Sequence, residues 1–214
     1  MKLTKKMKDY SPLIVPLSKP IEELTIAEAK KYNEWFVQNI DSRVDYLITK
    51  VAVHFGLQKT DLIYTTDSLF YIWKWFLEIS EISKTKKNIL RDLRKNLLGQ
   101  PKSFINHIIN QNKTEFSIYT QYVLRDIGMY LGAMIRENFP QIKWSYKTSP
   151  KNYVDVNHPI LIGFIDDNPE YPKPFYPDFE PIEAVECLAL NLFDGTQNQE
   201  DLINLYNSLL SWIP

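Results

Sequence analysis

The chain has a single cysteine, Cys187, in 214 residues. No disulfide framework can form within it, which fits a reducing compartment. Glycines number only six. A phosphate-cradling loop needs several of them between a strand and a helix, and no such cluster occurs. The three histidines are His54, His107 and His158. None forms the i, i+4 pair that presents two ligands from one helix face, so neither a metal nor another cofactor is expected. There is no glycine-flanked serine elbow, the usual mark of a serine hydrolase. No stretch is long and apolar enough to span a bilayer. The N-terminus is basic (Lys2, Lys5, Lys6, Lys8), but the short run from Ser11 to Leu17 is broken by Pro12 and Pro16 and does not read as a secretory signal. The resulting expectation is a cytoplasmic protein with no membrane partner.

At 44% hydrophobic and 14% aromatic residues, the chain can bury a sizeable core. The net charge of −1 names no partner, yet the charge is unevenly placed. Residues 1–164 hold 24 Lys and Arg against 16 Asp and Glu, whereas residues 165–214 hold one Lys against 10 acids. Such asymmetry marks either an interaction face or an acidic end folded onto a basic body.

The clearest element runs from Glu115 to Phe139. Val123, Ile127, Tyr130, Leu131 and Met134 recur with the helical period. Gly128 and Gly132 lie one turn apart on one side of that helix, each costing about 1 kcal/mol relative to alanine. That cost implies that another backbone packs close there. Pro140 ends the helix. Ile142–Tyr146 alternates apolar and polar residues, and Ile160–Phe164 is a second apolar run, so a small antiparallel sheet is expected there.

Upstream, Thr25 and Glu28 form a capping-box signature. A helix should start there, with a second beginning near Asp41–Ser42 and stopping at Gly56. A further helix is expected from Thr66 or Asp67 through Leu77, then a basic one over Lys84–Lys95 and a short one over Ser103–Asn110. Pro181 opens a helix running to Phe193, and Gln199–Trp212 makes the last. The expected fold is therefore α+β and mostly α, with a compact helical domain and a small antiparallel sheet near residues 142–164. Residues 1–23 read as an extended segment and residues 24–214 as one domain. That domain carries a Pro/aromatic acidic loop at 165–181 and a C-terminal helix pair at 182–213.

The residues Leu24, Thr25, Glu28, Ala29, Tyr32, Trp35 and Phe36 open a longer aromatic pattern. Trp73, Trp75 and Phe76 continue it, followed by Asp126, Ile127, Gly128 and Gly132, and by Trp144. The pattern resembles a loosely defined group of uncharacterised cytosolic proteins of low-GC Gram-positive bacteria, some of which resemble immunity proteins of polymorphic toxin systems. The resemblance covers roughly residues 24–164 and its motifs are core-like. It implies a non-enzymatic, stoichiometric binder that blocks a toxin domain, and it carries over no catalytic residue.

The expected function is protein binding. The partner-binding surface is placed on the acidic, aromatic loop: Asp166, Asp167, Glu170, Tyr171, Phe175, Tyr176 and Asp178. Aromatic side chains flanked by charge suit interface anchors. A small hydrolase using His158 with Asp155, Asp166 and Asp167 is the lesser reading, to be decided by whether those side chains share one cleft. Nucleic-acid association through residues 84–102, which hold seven Lys and Arg and one acid, is a further alternative. Cys187 is expected to be a buried, inert thiol.

Overall fold

The first long helix begins where the capping box places it. The Thr25 hydroxyl accepts from the Glu28 N–H at 3.3 Å, and the Glu28 carboxylate accepts from the Thr25 N–H at 2.8 Å. The computed structural model describes residues 10–167, 170 and 173–214. Its elements in chain order are α1 (Ile26–Phe55), α2 (Thr66–Ile79), β1 (Ile82–Lys84), α3 (Lys87–Asn96), α4 (Lys102–Gln111), β2 (Thr114–Phe116) and α5 (Ile118–Asn138). They continue with β3 (Lys143–Ser145), β4 (Ile160–Ile162), α6 (Pro181–Ala189), the one-turn α7 (Asn191–Asp194) and α8 (Asp201–Leu210). The fold is mostly helical α+β with two small antiparallel sheets, one of them the expected pair near residues 142–164. None of its helices is long and apolar enough to cross a membrane, among the described residues.

The break expected at Asp41–Ser42 is absent, and α1 runs unbroken to Gly56, which takes φ 68° in the left-handed region. Ser42 turns its hydroxyl back to the Asn39 carbonyl at 2.9 Å, so its side chain serves the helix. The apolar stripe of Phe36, Ile40, Val44, Leu47, Ile48 and Val51 passes through the site without a change of phase. A continuous buried stripe outweighs two exposed cap-type residues.

At the start of α5 the sequence reading overran. Thr114–Phe116 is strand β2, paired with β1 in the register Ile82↔Phe116 and Lys84↔Thr114. The cap is Ser117, whose hydroxyl accepts from the Thr120 N–H at 3.2 Å. Between the two strands, α3 and α4 form a helical hairpin outside the main core. Ile109 is the one buried apolar side chain of residues 82–114, and it is not part of that core.

The main core draws on α1, α2, α5, α6 and α8, together with Tyr10. The expected α5 stripe is fully buried, from Val123 to Met134. Beneath α2, the Trp73 indole N–H donates to the Asn198 carbonyl at 2.9 Å and holds the C-terminal segment in place. The N-terminal segment is docked more firmly than its prolines suggest. Tyr10 is buried and its hydroxyl donates to Asp126 at 2.5 Å. Arg43 reaches the same carboxylate and also donates to the Ser11 carbonyl at 3.0 Å. Residues 1–9 of the expected extended segment lie outside the described residues.

The close approach implied by the two α5 glycines is that of the α6 backbone at Gly128, whereas at Gly132 it is a side chain, the Trp144 ring of β3. A Cβ on Gly128 would lie 2.6 Å from the Ile182 Cα, and one on Gly132 would overlap the Trp144 ring. Gly128 therefore sets the depth at which the start of α6 lies on α5, and Gly132 makes room for the Trp144 ring. Gly128→Ala is expected to lose about 1–3 kcal/mol from overpacking, despite the helix-propensity gain of about 1 kcal/mol. Urea denaturation reads this directly, and an unchanged midpoint would contradict the contact.

Candidate functional site

Pro181 occupies the first turn of α6, where its missing N–H costs nothing. Glu180 precedes it as the cap, and its carboxylate accepts from the Glu183 N–H. Glu183 and Glu186 follow at three-residue intervals and lie on the same side of the helix. The glycine contact fixes where this acidic face stands. Opposite it is the loop that carries Asp155 and His158.

That loop is held rigidly at Asn157. Asn157 takes φ 68°, a left-handed conformation that asparagine tolerates better than most residues. Its side-chain amide donates to the carbonyls of Ile21 at 2.9 Å and Leu24 at 3.2 Å, and its own carbonyl accepts from Asn33 at 3.1 Å. A second tie comes from Asp178, which accepts from the Tyr153 hydroxyl at 2.8 Å and pairs with Lys147. The N-terminal segment closes the remaining side, with Arg125 donating to the Leu13 carbonyl at 2.5 Å.

The result is a cleft of about 550 Å³. Its acids are Glu22, Asp155, Glu180, Glu183 and Glu186, and facing them are Arg125, His158 and Tyr32. Glu180 is only 7% exposed. Burial pushes its carboxyl up to about 8, helped by repulsion from Glu183, Asp155 and Glu186 and opposed by the Glu183 N–H. Burial also raises Glu183, as does the neighbouring Asp155 carboxyl. Glu186 is raised by burial and by Glu183, against the pull of Arg125. Burial lowers Arg125 from its ordinary value. His158 Nε2 lies 3.6 Å from Glu22. The cleft therefore gathers negative charge in a partly desolvated place, with one guanidinium to offset it.

The surface expected from the sequence lies on the adjoining strap. Asp166 and Phe175 exchange two backbone hydrogen bonds of 2.8 Å. Phe175 and Tyr176 stand out at 60% and 66% exposure. Asp167 and Glu170 are exposed, while Tyr171 lies outside the described residues. Asp178 is only partly exposed and already engaged with Tyr153 and Lys147. Phe179 is buried and pairs its backbone with Leu161.

For the hydrolase reading, His158 and Asp155 do share the cleft, but Asp166 and Asp167 do not line it. Glu180, Glu183 and Glu186 were read only as part of an acidic end. Their three-residue spacing after Glu180-Pro181 is the signal that places them on one helix face. Cys187 is exposed, contrary to expectation, because the buried face of α6 is that of Val185 and Ala189. Partial burial and the neighbouring glutamates raise its thiol above the ordinary value, which disfavours the reactive thiolate. Among the described residues, no three His, Cys, Asp or Glu side chains are arranged to hold a metal ion. Compared with family models, curated proteins and solved structures, the chain matches none.

Proposed function

We propose that the chain is a non-enzymatic protein-binding protein whose acidic cleft receives a lysine or arginine side chain of its partner. The observation that carries this reading is the set of raised carboxyls, Glu180, Glu183 and Glu186, crowded into one cleft. Like charges at close range repel one another, and a cation placed among them removes that repulsion. A guanidinium or ammonium on a partner is a suitable ligand because charge-assisted hydrogen bonds to carboxylates are strong and directional. The exposed Phe175 and Tyr176 supply apolar anchors on the strap that leads into Glu180. Stoichiometric blocking of a basic toxin domain in the cytoplasm is the specific form of this reading that the sequence resemblance favours.

Affinity capture from cell extract with three forms of the protein tests it. The wild type is expected to retain one stoichiometric protein at low salt. Glu183→Lys with Glu186→Lys should lose it, since both side chains are exposed at the cleft and reversing a charge that a complex buries costs about 2–5 kcal/mol. Phe175→Ala with Tyr176→Ala reports separately on the strap. Undiminished capture by the charge-reversed form would remove the cleft from the interface.

A hydrolase built on Asp155, Glu183 and His158, rather than on Asp166 and Asp167, is the second reading, on the specific observation that these three side chains line one cleft and that Asp155 helps to raise the Glu183 carboxyl. A carboxyl raised by a neighbouring carboxylate, beside a histidine, is suited to general acid–base work. Turnover of a chromogenic glycoside or ester, abolished by Asp155→Asn, would favour it.

A further inference from the structure

Between β1 and β2 the chain leaves the body as an arm. Helices α3 and α4 are ten residues each, or about 15 Å, and they pack on one another. From Lys84 to Lys113 the arm carries Lys84, Lys86, Lys87, Arg91, Arg94, Lys95, Lys102 and Lys113 against one acid, Asp92. Asp92 already lies 3.4 Å from both Arg91 and Lys95. The arm also exposes apolar side chains. Leu98, at the bend between the helices, is 75% exposed, and Phe104, at the start of α4, is 44% exposed.

The acidic C-terminal helices do not cover this surface. α6 lies on α5, and α8 on α2. A second copy of the arm is repelled by its own charge. A nucleic-acid backbone would engage the lysines and arginines but leave the leucine at the bend without a role. An exposed apolar bend with basic residues within a few positions on either side matches one environment best. That environment is the boundary of a bilayer with anionic headgroups, where apolar side chains enter the acyl edge and cations meet the headgroups.

We propose that the arm docks on an anionic lipid surface, with Leu98 and Phe104 entering the interface and Arg94, Lys95 and Lys102 meeting the headgroups. The contact is peripheral and needs no span, so it goes beyond the expectation of no membrane partner, which rested on the lack of one. It involves residues other than those of the acidic cleft and stands or falls independently of it.

Co-sedimentation with vesicles tests the proposal, using phosphatidylcholine alone and phosphatidylcholine with a third of phosphatidylserine. The full chain is expected to pellet only with the anionic vesicles, and less as salt rises. Leu98→Asp with Phe104→Asp should weaken partitioning roughly tenfold or more. Arg94→Glu, Lys95→Glu and Lys102→Glu together should weaken it roughly a hundredfold. All five positions are exposed, so circular dichroism should remain that of the wild type. Failure to pellet with anionic vesicles at low salt overturns the proposal. So does pelleting that survives Leu98→Asp with Phe104→Asp, because charge alone then suffices. Retention of duplex DNA without vesicle binding would assign the arm to nucleic acid instead.

Discussion

Asparagine in place of Asp126 is expected to cost about 3–5 kcal/mol, the loss usual when one partner of a buried ion pair is removed. Domain stabilities run to about 5–15 kcal/mol, so this single change should bring the protein close to unfolding. Asp126 is fully buried in α5 and accepts from Arg43 on α1 and from the Tyr10 hydroxyl. Burial pushes its carboxyl above the ordinary value even with the guanidinium and the phenol in place. Burial also works against the Arg43 charge, but the hydrogen bonds to Asp126 outweigh it and the net shift of Arg43 is upward. The desolvation cost thus falls on the carboxylate, and the guanidinium depends on it. An asparagine leaves Arg43 buried beside a neutral amide.

The same network explains why the effect should reach the cleft. Arg43 holds the Ser11 carbonyl and Tyr46 accepts from the Ser11 N–H at 2.7 Å, so the N-terminal segment is fastened just before the residues that form one cleft wall. Equilibrium urea denaturation is the measurement, with Trp75 as a nearby probe because its ring lies 6.1 Å from that of Tyr10. A control separates loss of the pair from loss of packing. Arg43→Met with Asp126→Leu removes both charges and should fall within about 1–2 kcal/mol of the wild type, since apolar replacement of a whole buried pair is often neutral. A loss below about 1 kcal/mol for Asp126→Asn would mean that water, rather than the buried pair, satisfies Arg43.

The parts of this fold that were legible in the sequence are those where one local rule acts alone. The α5 stripe, the Thr25 cap and the Gly56 stop follow from periodicity and terminal chemistry within a few residues. The glycine pair announced a close backbone, which α6 supplies at Gly128, but at Gly132 the neighbour is the Trp144 ring. The paired strands β1 and β2 were not legible. Each is three residues long, too short to show alternation, and its partner is about thirty residues away in the chain. Tyr10 left no signal either, because an extended segment has no period against which a buried residue stands out. The candidate cleft was half visible. Asp155 and His158 were seen as loop neighbours, but only the fold brings them to Glu180, Glu183 and Glu186. Function-bearing clusters built from distant segments escape patterns that operate within one element.

The cleft also predicts a distinctive pH dependence of stability. The Glu180 carboxyl has an ordinary value of 4.5 and sits at about 8 in the folded protein. Between those values the folded state keeps a proton that the unfolded state has released. Stability is therefore full below about 4.5, falls as pH rises through the window, and levels off above about 8. At about 1.4 kcal/mol per pKa unit, the total change amounts to several kcal/mol. Glu183 and Glu186 shift in the same direction and deepen the slope, while Arg125 opposes it at Glu186. Glu180→Gln keeps the size of the side chain and an oxygen for the Glu183 N–H, but it cannot ionise. Its unfolding free energy should be nearly flat in Glu180's share of the window, leaving it more stable than the wild type at pH 8. Denaturation curves at several pH values compare the two, and an unchanged slope in the variant would clear Glu180 of the effect. Partner binding carries the same signature with the opposite sense. A cation seated beside Glu180 favours the carboxylate, so association should release protons and tighten as pH rises toward about 8. That release should disappear in Glu180→Gln, which ties the stability of the fold to the occupancy of its cleft through one side chain.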